Sequence, residues 1–199
     1  MTLSFSSVEL TEQTKPLQET FWYNPLGQGA DIRIPVGAGQ PNSIGSEEYH
    51  NPNLLKCGID IVCLPNVSIY AVESGIVVSI ETFFDNKKKP WISSSKALLV
   101  AGDNGVVCYG NIEPCDEIEV GMKVSRGQPI GKTVSWFSKP SKSEQGDTRL
   151  RFELYRHNTK QRPKWRFDGP LPKSVLNPVP LLLPLITSVT RQRKHVKAF

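Results

Sequence analysis

Two short stretches carry the side chains whose types and spacing could do chemistry. The first is Lys56-Cys57-Gly58-Ile59-Asp60-Ile61-Val62-Cys63, rich in β-branched residues and read as a strand. Side chains alternate between faces along a strand. Lys56, Gly58 and Asp60 therefore share one face, and Cys57, Ile59, Ile61 and Cys63 share the other, apolar one. The second is Arg149-Leu150-Arg151-Phe152-Glu153-Leu154-Tyr155, a perfect alternation. It puts Arg149, Arg151 and Glu153 on one face and Leu150, Phe152 and Leu154 on the other. Carboxylates, an ammonium and guanidinia pair by charge-assisted hydrogen bonds. The cations are poor metal partners: lysine ligates only when deprotonated, and arginine offers no lone pair.

The other reactive side chains are scattered. Cysteines at 57, 63, 108 and 115 make no C-x-x-C pair, and we read them as reduced thiols filling the core rather than as disulfides. His50 lies in a Gly/Pro/Asn/Ser loop over 37–53, a length typical of a rim or lid. His157 lies in a basic loop after the second strand.

The elements that must position these residues are β-strands. Hydrophobic residues make up 38% of the 199, with 16 Pro and 15 Gly, which suits a loop-rich β domain. A short strand is read at Ile32-Arg33-Ile34-Pro35-Val36. Another runs from Tyr70 through Val78 to about Glu81, after a turn at Leu64-Pro65-Asn66. Ala97 to Ala101 and Val106 to Ile112 flank Asp103-Asn104-Gly105, a hairpin signal. Polar insertions cover Phe83 to Ser95 and Ser135 to Thr148. The prolines of Leu176-Asn177-Pro178-Val179-Pro180-Leu181-Leu182 argue against a helix there. The expected organisation is a polar arm over 1–20, a β domain over 21–188 and a basic tail over 189–199. The fold class is all-β: an antiparallel sheet folded against a smaller one, with long loops.

The net charge of +5 is concentrated in Lys87-Lys88-Lys89, in the 149–166 region and in the tail. Such runs read as solvated faces. No known nucleic-acid motif occurs, which argues against a nucleic-acid partner. No stretch is long and apolar enough to span a bilayer. No secretory signal is expected at the N-terminus, so the chain is placed in the cytoplasm or carried by a particle or secretion machine.

The G-I-D strand, "YAVESGIVV", "VCYGNIEP", "VGMKVSRGQPIG", "LRFELY" and "LNPVPLL" occur in an order that resembles the LytM/lysostaphin-type zinc peptidases over about 20–185. The last two are similar to segments of a phage- and secretion-associated subgroup. The resemblance implies the duplicated hybrid motif fold. It also implies a Zn²⁺ held by two His and one Asp, with a water in the fourth position that attacks an amide. Carried over, Asp60 keeps a ligand position. Lys56 and Arg151 stand where the two His ligands belong, Arg149 at the outer His of a His-x-His pair, and Asn111 at an assisting His. The expectation is a degenerate member without zinc, its cations standing where the metal would and satisfying Asp60. The same face, Lys56, Asp60, Asn111, Arg149, Arg151 and Glu153, becomes the expected binding surface for peptidoglycan or a protein partner. Two other readings stay open: a zinc endopeptidase with displaced ligands, such as His50, and a basic adaptor for an anionic partner.

Overall fold

The computed structural model describes residues 22–28, 30, 32, 58–87, 90–138, 148–164 and 172–185. Lys56, Cys57, His50, residues 33–36 of the expected early strand, the N-terminal arm and the C-terminal tail lie outside the described residues. Among the described residues nine strands follow in order: β1 (Ile59–Cys63), β2 (Ser68–Tyr70), β3 (Gly75–Phe84), β4 (Ser95–Gly102), β5 (Gly105–Pro114), β6 (Lys123–Val124), β7 (Pro129–Thr133), β8 (Thr148–Tyr155) and β9 (Val175–Leu176). All their pairings are antiparallel. The main path runs β1-β8-β5-β4-β3-β6, and β2 and β7 pair with each other beside it. The all-β expectation holds. The β2–β7 pair belongs to the same nine-stranded sheet as the main path, because β7 also pairs with β5.

The alternation read from the sequence decides what faces the core. Leu150, Phe152 and Leu154 pack with Ile59, Ile61, Tyr109 and Trp22 in the main cluster. Each such buried side chain contributes on the order of 2 kcal/mol. Ala97, Leu99, Val106, Cys108 and Tyr155 form a smaller second cluster on the opposite face by period-two counting. The β4–β5 hairpin closes through Gly102 and Gly105 around Asp103-Asn104. Gly105 has φ 130°, and a Cβ there would lie 2.3 Å from the Tyr155 carbonyl oxygen. No other residue fits that corner.

β5 changes partners partway along. Through Gly110 it lies between β4 and β8, and from Ile112 it pairs with β7. Asn111 sits at the changeover with φ 62°, in the left-handed region that asparagine tolerates better than most residues. The two polar insertions meet: Ile92 bridges Phe137, and Phe84 packs edge-on against Trp136 with centroids 5.0 Å apart.

The proline-rich segment departs from expectation. A short helix, α1, forms over residues 179–185. Pro178 precedes it and Pro180 falls in its first turn, where a missing N–H breaks no intrahelical bond. The Asn177 side-chain oxygen accepts a 3.0 Å bond from the Val179 amide, and Val179 and Leu182 anchor the helix in the main cluster.

Candidate functional site

β1 and β8 are neighbours, with Asp60 opposite Arg151 and Val62 opposite Arg149. The approach is close: a Cβ on Gly58 would sit 2.4 Å from the Phe152 carbonyl oxygen and 2.5 Å from the Glu153 side chain. Asp60 is 5% exposed. Its Oδ1 lies 2.9 Å from Arg151 Nη1, and its Oδ2 lies 3.8 Å from Arg149 Nη1. The shorter contact is an ion pair whose angle falls outside hydrogen-bond geometry. The Arg151 side chain is 16% exposed and that of Arg149 32%, so Arg149 lies nearer the rim. Burial, with the neighbouring Arg151 charge, lowers the Arg149 pKa below the ordinary arginine value.

The charges continue along β8. Arg151 Nε lies 3.5 Å from Glu153 Oε1. Glu153 is buried, and its other oxygen accepts from the Tyr155 hydroxyl and from Arg162 Nε at 3.2 Å. The Arg162 amide in turn donates to Glu81 Oε1 at 3.1 Å, and its guanidinium lies 4.6 Å over the Phe83 ring. Burial by itself would lower the Arg162 pKa, but the adjoining Glu153 carboxylate outweighs it and holds the group above its usual range. Arg149, Asp60, Arg151, Glu153, Arg162 and Glu81 thus form a file of alternating sign across the face that carries the second cluster.

Asn111 lies under this file rather than on it. It is fully buried, and its side-chain amide points at the Arg149 carbonyl (2.9 Å), the Val134 carbonyl (3.0 Å) and Thr148 Oγ1 (3.2 Å). It staples β8 to the chain after β7 where β5 leaves β8. Of the six residues expected at the site, the structure brings Asp60, Arg149, Arg151 and Glu153 into one cluster, with Asn111 behind it. Sequence reasoning missed Arg162, Glu81 and Tyr155. Tyr155 continues the alternation that carries Arg151 and Glu153 and could have been found that way; Arg162 sits in an aperiodic loop. Cys63 and Cys108, read as core thiols, are free; burial pushes Cys63 up to about 11 and Cys108 well above its ordinary value.

Among the described residues the donor set here does not suit zinc. Asp60 is the one ligand-type group among the described family positions, and two guanidinia already neutralise it. Neither has a lone pair to give. Among the described residues no three His, Cys, Asp or Glu side chains are grouped to hold a metal ion.

No protein-family model and no curated protein matches the chain. Solved structures do. A catalytic domain of the prophage-encoded M23 protein EnpA from Enterococcus faecalis is 18% identical at TM-score 0.44, over 80% of this chain and 95% of that one. The catalytic domain of the antimicrobial peptidase lysostaphin from Staphylococcus simulans is 17% identical at TM-score 0.42, over 65% of this chain and 80% of that one. A peptidase M23 protein from Pseudomonas aeruginosa is 14% identical at TM-score 0.42, over 69% of this chain. The match spans only 45% of that longer Pseudomonas chain. These are proteins of the LytM/M23 class that the sequence motifs resemble. At such identities the activity of this chain has to be read from its own side chains.

Proposed function

We propose that this chain is a non-catalytic LytM-like module, which binds peptidoglycan or a protein partner through the face where such peptidases hold their metal. The observation that carries the reading is Asp60 between two guanidinia, Arg151 at 2.9 Å and Arg149 at 3.8 Å. A metal would have to displace both cations, and among the described residues it would then find Asp60, with Glu153 beyond Arg151, and no third ligand grouped with them. Positive charge already satisfies Asp60, so the strands keep their pairing without an ion.

The test is elemental analysis of protein purified without chelator, beside a cross-bridge cleavage assay and a peptidoglycan co-sedimentation assay. The expected result is zinc well below one per chain, no cleavage, and retention on peptidoglycan or on a protein partner. One zinc per chain that is lost in Asp60→Ala, with turnover abolished by chelator, would overturn the reading in favour of a zinc endopeptidase with displaced ligands.

A further inference from the structure

A second feature lies beyond the end of β8. Arg156, His157, Asn158, Thr159, Lys173 and Ser174 line an open cleft of about 550 Å³. From Arg151 this is five residues further along the chain, roughly 16 Å at strand spacing. The volume is in the range of small-molecule sites.

The cleft differs electrostatically from the file of charges. There, each of Arg149, Arg151 and Arg162 has a carboxylate partner. Here Arg156, His157 and Lys173 converge from two segments, and among the described residues no carboxylate pairs with any of them. Among the described residues the lining contains no acidic side chain. Backbone contacts hold the two segments together: the Arg156 amide donates to the Ser174 carbonyl at 2.7 Å, and Arg156 Nε donates to the Lys173 carbonyl at 2.9 Å. The second bond fixes the guanidinium by one edge and leaves its terminal nitrogens to a ligand. The turn is set by Asn158 at φ 66° and by the Thr159 hydroxyl, which donates to the Arg156 carbonyl at 2.7 Å. The Ser174 hydroxyl and the Asn158 amide add neutral donors.

We propose that this cleft is an oxyanion site for a phosphoryl group, taken as free phosphate or as the phosphate of a small ester. An oriented guanidinium supplies paired donors to phosphate oxygens, and a lysine supplies a point charge. The proposal is independent of the module's peptidoglycan or protein partner, since the two faces share no residue.

The test is an NMR titration of the full chain with inorganic phosphate and, separately, with glycerol 3-phosphate, against sodium chloride at matched ionic strength. Saturable shifts at His157, Asn158 and Ser174 are expected with phosphate and absent with chloride. Lys173→Gln changes an exposed side chain with no bonds of its own, and should weaken binding about three- to five-fold. Arg156→Gln should weaken it more. Lys160→Gln, an exposed lysine outside the lining, should leave it unchanged. Tighter saturation by the ester assigns the site to an esterified ligand; equal saturation assigns it to the phosphate alone. Shifts that follow ionic strength whatever the anion, or equal weakening by Lys160→Gln and Lys173→Gln, would overturn the proposal. Peptidoglycan retention should not change in Lys173→Gln.

Discussion

Replacing Arg151 tests the picture of a cation in the metal's place. At 2.9 Å and an effective dielectric constant near 20, the direct attraction between Arg151 and Asp60 is about 6 kcal/mol, most of it offset by the desolvation of both groups. Removing one partner of a fully buried pair costs about 3–5 kcal/mol. Two features reduce that figure here: Arg149 stays 3.8 Å from Asp60, and Arg162 stays on Glu153. We expect Arg151→Ala to cost about 2–3 kcal/mol. Arg149, a third exposed and at the longer distance, should cost about 0.5–1 kcal/mol, as exposed pairs do. For a domain of this length the first value lowers Tm by about 5–10 °C. In an Asp60→Asn background the cost of Arg151→Ala should shrink by at least about 1 kcal/mol, because no stranded carboxylate remains. Urea and thermal unfolding of the unmodified protein and the four variants measure this directly. Equal, small effects of both arginine changes with no coupling to Asp60 would refute the reasoning.

Three further outcomes are expected. Arg162→Ala should destabilise by about 2 kcal/mol, since Glu153 is nearly fully buried; it should speed hydrogen exchange over 156–164, and Arg162→Lys should recover only part because a lysine cannot reproduce the forked contact. Asn111→Ala should cost about 2–3 kcal/mol in urea unfolding, through three lost polar contacts and a residue at φ 62°, and Asn111→Gly should cost less because glycine accepts that angle. In alkali the buried thiols set the sign: Cys63 is held near 11 against an ordinary 9.0, so above pH 9 the unfolded chain loses a proton that the folded chain keeps. Stability should then fall by about 1.4 kcal/mol per pH unit for each such thiol until the folded value is passed, and Cys63→Ala should flatten the fall between pH 9 and 11.

How far the sequence revealed this arrangement depended on period. The β8 alternation gave both the core face and the charged face; burial follows it from Thr148 to Phe152 and stops at Glu153, which is buried as well. The Asp-Asn-Gly turn gave the β4–β5 hairpin. The meeting of Asp60 with Arg151 followed from motif order and strand parity together. Arg162 was not legible, because it acts from an aperiodic loop and its role exists only once β8 presents Glu153. The changeover at Asn111 was hidden for a similar reason: a left-handed residue inside a strand leaves no periodic mark. Helix α1 was missed because prolines were judged by their number rather than by their place in the first turn.

The alternating file also bears on what a single substitution can do. A histidine placed at 151 alone would sit between Asp60 and Glu153, the two carboxylates that now flank the guanidinium. Both would favour the imidazolium, which has no lone pair for a metal. The Arg162 latch would meanwhile keep Glu153 in place. Changing either arginine alone to histidine therefore loses an ion pair before it can gain a ligand. Any function placed on this face is more readily built from the charges present than by adding a metal.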